Sequence, residues 1–160
     1  MEKSGKKILI APLDWGLGHA ARCVPVIKEL LNMNAEVVIA ADSHSLAFLQ
    51  KEFPGIETLR LPGYEISYPS SGGNMALKMG WQIPKILSKI REENKWLQKI
   101  IKEKNICGII SDQRFGLYTK LVPTVFITHQ VVIKSPFFEN ILHKINKNFI
   151  DDFSECWVPD

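Results

Sequence analysis

The chain has 160 residues, 46% of them hydrophobic and 23% charged, which suits one globular domain with enough apolar material for a real core. A net charge of +3 is too small to argue for a nucleic-acid partner, though it is compatible with an anionic substrate or an acidic membrane surface. The three cysteines, Cys23, Cys107 and Cys156, are widely spaced and lack metal-ligand spacing, so reduced, buried thiols in a cytosolic protein are expected.

Residues 7–11, with an apolar run over 8–11, read as a fully buried strand. The run is too short for a signal peptide, and no stretch approaches a membrane span. Next comes a loop holding Asp14, Trp15, Gly16, Gly18 and His19. Apolar residues then recur at helical spacing over residues 20–33, with Pro25 expected in the first turn, where a missing N–H costs little. Residues 35–41 form a second strand. Asp42 and Ser43 cap a helix running to about residue 53, and a third strand covers residues 56–61. Residues 62–74, rich in Pro, Gly and Ser, predict a long surface loop. Two helices follow: a short apolar one over residues 75–83, which could rest on a membrane surface, and an amphipathic one over 85–104.

A fourth strand over residues 106–111 ends in Asp112 and Gln113, and a short helix is expected over 114–121. A fifth strand, 123–128, ends in His129 and Gln130. An amphipathic helix over 136–153 and a sixth strand over 155–158 complete the chain. His44 and His143 read as surface or packing residues. The chain stops directly after a strand, so a continuation into a second domain is expected.

Strands alternating with helices predict an α/β fold: a Rossmann-like, doubly wound parallel sheet of about six strands in three α/β/α layers. The expected order is 3-2-1-4-5-6. Ligands bind such sheets above the carboxyl ends of the strands, at the switch between strands one and four. That edge collects Gly16, Gly18, His19, Asp42, Asp112, His129 and Gln130.

The loop between strand one and the first helix aims backbone N–H groups and a positive helix end at whatever lies above it, which favours phosphates. Gly16, Gly18 and Ala21 also match GxGxxA, with Asp42 placed as an NAD ribose ligand would be. Four residues, however, separate Gly16 from the strand, a wider loop than that fingerprint uses. His19 at a helix mouth is disfavoured as a cation, and a neutral imidazole facing a cleft suits a general base. Asp112 could orient it through the other ring nitrogen, or could cap the helix after it. Arg22 could meet a phosphate or carboxylate, or form a surface ion pair.

Gly16, Gly18 and His19, followed by Asp112 and by His129 with Gln130 after strands four and five, resemble the N-terminal domain of GT-B fold glycosyltransferases, MurG-like ones in particular. The resemblance implies an acceptor-side domain spanning residues 1–160, with the nucleotide-sugar site mainly in a C-terminal domain that this chain lacks. The chain alone is then expected to be inactive. It further implies His19 as the base, helped by Asp112, with Trp15, Gly16, Gly18, Arg22, His129 and Gln130 lining the substrate site. The implied donor is a UDP-sugar, with N-acetylglucosamine foremost, and the acceptor a saccharide or a lipid-linked sugar. No metal or other cofactor is called for. A cytoplasmic location follows, with peripheral contact at the inner membrane face. Many relatives carry proline three residues after the histidine, where this chain has Arg22. The pattern Gly-His-x-x-Arg also resembles nucleotide-sugar hydrolases of the same fold, in which water replaces the acceptor. A stand-alone nucleotide-binding module is the third reading.

Overall fold

The computed structural model describes residues 5–64, 75–128 and 148–159, with only the backbone described over 75–83. Its elements run β1 (Lys7–Pro12), α1 (Leu17–Asn32), β2 (Glu36–Ala41), α2 (Ser43–Glu52), β3 (Glu57–Arg60), α3 (Met75–Lys104), β4 (Gly108–Asp112), β5 (Thr124–Ile127) and β6 (Glu155–Trp157). The six strands form one sheet in the order β3-β2-β1-β4-β5-β6, parallel at every pairing. This is the Rossmann-like α/β arrangement expected from the alternation of elements.

Side chains alternate across each strand, so neighbouring residues enter opposite layers. Leu9, Ala11, Val38, Ala40 and Ile109 face α3, where Leu97, Ile100 and Ile101 meet them. Ile10, Val37, Ile39, Ala41, Ile110 and Ile127 face the other way, onto Ala20, Cys23 and Ile27 of α1 and Leu49 of α2. Both faces of the sheet are thereby covered. Each Val, Ile or Leu so buried contributes about 1.5–3 kcal/mol, which is what fixes the layers.

Four expectations need correction. Helix α1 begins at Leu17, inside the glycine loop, so Pro25 lies in the helix interior rather than its first turn. Its ring is on the exposed side. The two helices expected around Pro84 are one, α3, which runs through that proline. Proline removes its own donor and crowds the carbonyl four residues earlier, but the sequence on either side keeps its helical preference. Residues 114–121 do not form a helix. Asn94 of α3 donates to the carbonyls of Gly116 (2.9 Å) and Tyr118 (2.7 Å), and so satisfies oxygens that a helix would have used internally. Cys23 is buried as expected, but Cys107 and Cys156 are exposed. Cys107 precedes β4 at the sheet's lower rim, and Cys156 lies on β6, an edge strand with a single neighbour.

The helix expected over 136–153 is helical at 148–151, and its earlier part falls outside the described residues. So do His129, Gln130, His143 and loop residues 65–74. His44 is exposed. No helix among the described residues is long and apolar enough to cross a membrane.

Candidate active site

The site stands where β1 and β4 end side by side. Pro12 is the register partner of Asp112, and Leu13 N–H continues the ladder onto the Asp112 carbonyl at 2.9 Å. The chain then turns through residues 13–16 into α1. Gly16, at φ 74° and ψ 172°, makes that turn. This backbone region is essentially glycine-only, so the residue type follows from the turn. The first turn of α1 has no side-chain cap and no acidic residue, which leaves its N-terminal N–H groups suited to an anion. Gly16, Leu17 and Gly18 are exposed, as is Trp15, with 52% of its surface accessible.

The turn places His19 in the first turn of α1, above the end of β4. Its ring is nearly buried, at 9% exposure, while Asp112 is wholly buried. His19 Nδ1 lies 3.2 Å from Asp112 Oδ2. The histidine and the carboxylate, 93 positions apart in sequence, thus meet, as expected of residues on the rim beyond the strand ends. Asp112 closes the strand and has no helix after it, so it does not act as a helix cap.

Arg22 completes the cluster. Its guanidinium grips Asp112 with two bonds, Nε to Oδ2 at 3.2 Å and Nη2 to Oδ1 at 2.8 Å. Nη2 also lies 2.9 Å from His19 Nδ1. Burial of Asp112 requires such a partner, because an unpaired carboxylate there would cost several kcal/mol. Of the two readings of Arg22, bidentate contact with a phosphate or carboxylate or a surface salt bridge, the structure shows a bidentate hold on the Asp112 carboxylate by a partly buried guanidinium.

Asp42 accepts from Ser43 N–H and from Arg60 Nε, each at 2.9 Å. The α2 cap is therefore as expected, and Arg60 adds a second hold on the carboxylate. No group of three or more His, Cys, Asp or Glu side chains able to hold a metal occurs among the described residues.

A second polar cluster lies beneath the site, and sequence reasoning missed it. Arg114, fully buried, donates Nε to Glu93 Oε1 at 2.6 Å, Nη2 to the Pro62 carbonyl at 2.5 Å and Nη1 to the Pro12 carbonyl at 3.4 Å. Glu93 Oε2 accepts from Gly116 N–H at 2.8 Å and from the Tyr64 hydroxyl. The Arg114 guanidinium sits over the Tyr64 ring, 5.8 Å from its centroid. This cluster ties α3 to the ends of β1 and β4 and to the segment after β3. Burial, and then the neighbouring Glu93 carboxylate, hold the Tyr64 phenol well above its ordinary range. The signal was present in the sequence: Glu93 stands on the apolar stripe of α3, between Ile90 and Leu97.

No protein-family model and no curated protein sequence matches the chain. Solved structures do match in fold. UGT73P12 of Glycyrrhiza uralensis, solved with glycyrrhetinic acid 3-O-monoglucuronide, superposes with a TM-score of 0.59 at 12% identity over 98% of this chain and 44% of its own. A protein designated a UDP-N-acetylglucosamine 2-epimerase from Listeria monocytogenes gives 0.59 at 8% identity, over 98% of this chain and 39% of its own. MurG of Acinetobacter baumannii gives 0.51 at 11% identity, over 96% and 41%. The architecture is therefore that of the N-terminal domain of GT-B proteins, as the sequence resemblance implied. The chain spans less than half the length of each of these three structures.

Proposed function

We propose that this chain is the acceptor-side, N-terminal half of a GT-B glycosyltransferase that moves a sugar from a UDP donor, with N-acetylglucosamine the first candidate, to a saccharide or lipid-linked acceptor. The observation that carries the reading is His19 on the glycine turn after β1, 3.2 Å from buried Asp112 at the end of β4. His19 would take the acceptor hydroxyl proton. The freed oxygen electron pair would attack the anomeric carbon, and the bond from that carbon to the diphosphate oxygen would break toward the diphosphate. Asp112 would hold the imidazolium that forms. The uncapped start of α1 offers N–H groups to developing negative charge. Trp15, Gly16 and Gly18 are exposed on the same rim and would line the substrate site. His129 and Gln130 follow β5 in sequence and are proposed to join them. No cofactor enters this scheme. The proposed location is cytoplasmic, with residues 75–83 as the segment to touch the inner membrane face.

The test uses the protein with its complete reading frame. UDP release from UDP-N-acetylglucosamine is followed with and without saccharide or lipid-linked acceptors, for wild type and His19→Ala. Acceptor-dependent release that falls by about 10²–10⁴ in the variant supports the transferase. Equal His19-dependent release without acceptor would replace it with a nucleotide-sugar hydrolase. Intact donor in every arm, for this and other UDP-sugars, would remove the enzyme reading.

A further inference from the structure

Arg22 stands between the two members of the His19–Asp112 pair, and a guanidinium can only donate hydrogen bonds. Its Nη2 reaches His19 Nδ1 at 2.9 Å, a shorter contact than the 3.2 Å from that nitrogen to Asp112 Oδ2. A hydrogen bond from Arg22 requires a lone pair on Nδ1. Were Nδ1 protonated, two N–H groups would oppose each other at 2.9 Å beside a fully buried carboxylate, with little water to relieve them. Asp112 does not need the imidazole proton, because Arg22 already meets both of its oxygens. The two possible partners of Nδ1 therefore compete, and Arg22 has the better geometry.

From this we infer that Arg22 fixes the tautomer of His19: in the ligand-free chain the neutral ring accepts at Nδ1 and carries its proton on Nε2. In that form Nε2 is a donor and cannot take a proton. The base form, with Nδ1–H directed to Asp112 and a lone pair on Nε2, arises only when Arg22 leaves Nδ1. Arg22 is thus a positioning residue that holds the site in a resting state, and an anionic group drawing the guanidinium aside would release it. This consequence for catalysis rests on the transferase reading above, whereas the tautomer does not.

The tautomer is read directly by two-bond proton–nitrogen correlation spectra of histidine-labelled chain, in mildly alkaline buffer where imidazole is neutral. His19→Gln identifies the His19 signals among the four histidines. Wild type is expected to show the Nε2–H pattern at least about tenfold over the other, the ratio a charge-assisted hydrogen bond supplies. Arg22→Ala is expected to reverse it to the Nδ1–H pattern. Arg22→Met, which keeps the apolar stem, gives the same reading if the alanine variant folds poorly. A wild-type Nδ1–H pattern overturns the inference, as does any tautomer ratio left unchanged when Arg22 is replaced. UDP release is not used, so loss of the transferase reading and loss of this one are told apart.

Discussion

Arg114 Nε lies 2.6 Å from Glu93 Oε1, and both side chains are shut away from water, at 0% and 4% exposure. Among the described residues, Glu93 is the carboxylate that meets this guanidinium, whose other acceptors are the carbonyls of Pro12 and Pro62. Removing one charge strands the other. Glu93→Leu and Arg114→Met are each expected to cost about 3–5 kcal/mol, because a buried charge left alone is penalised more than the pair rewards. The double variant should cost less than the sum of the two singles. Urea denaturation of the four proteins forms the cycle. Single losses below about 1 kcal/mol would show that water reaches the pair.

The two glycines of the loop should respond in opposite directions. Gly16→Ala forces a side chain into the backbone region at φ 74° and ψ 172° and should cost about 1–3 kcal/mol. Gly18 is helical, and a Cβ there meets no atom within 4 Å. Gly18→Ala should therefore stabilise by about 0.5–1 kcal/mol, the difference in helix preference. Thermal melts decide the matter. Equal effects at both positions would mean that α1 does not start where it is placed. If the rim binds a phosphate, Gly18→Ala should weaken UDP-sugar binding without loss of stability.

Tyr64 gives an alkaline signature. Its phenol is raised in the folded state by burial and by Glu93, so the unfolded chain loses this proton first. The stabilising contribution is complete below the ordinary phenol range and fades as pH rises from about 10 toward the higher folded value. Tyr64→Phe should flatten the alkaline fall in stability, while costing about 1 kcal/mol at neutral pH through the hydroxyl bond to Glu93. Phenolate absorbance of wild type minus variant measures the titration. A Tyr64 that ionises at the ordinary value in the native protein contradicts the placement of its hydroxyl.

The cysteines should alkylate in a fixed order. Burial pushes the Cys23 thiol far up, and Asp112 adds to the effect. Cys156 is raised less, by partial burial, and Cys107 is exposed. Since the thiolate is the reactive form, Cys107 should react first, Cys156 later and Cys23 only on unfolding. Peptide mapping after timed iodoacetamide treatment reads the order. Early labelling of Cys23 would mean that α1 does not pack on the sheet.

What the sequence determined alone was whatever repeats locally. Alternating strands and helices dictated the sheet order, because right-handed crossovers and two-sided burial leave few arrangements. His19 and Asp112 could be brought together because Asp112 closes β4 and His19 follows the loop that leaves β1, and the strand ends of a doubly wound sheet share one rim. The helix expected over 114–121 failed because its carbonyls are taken by Asn94, a partner from another layer. The same limit hid the clasp of Arg22 on Asp112 and the burial of Glu93 with Arg114. A charged side chain's partner depends on distances between elements far apart in the chain, and desolvation decides how strongly it must be met. Local pattern carries neither quantity, and only the packed structure supplies them.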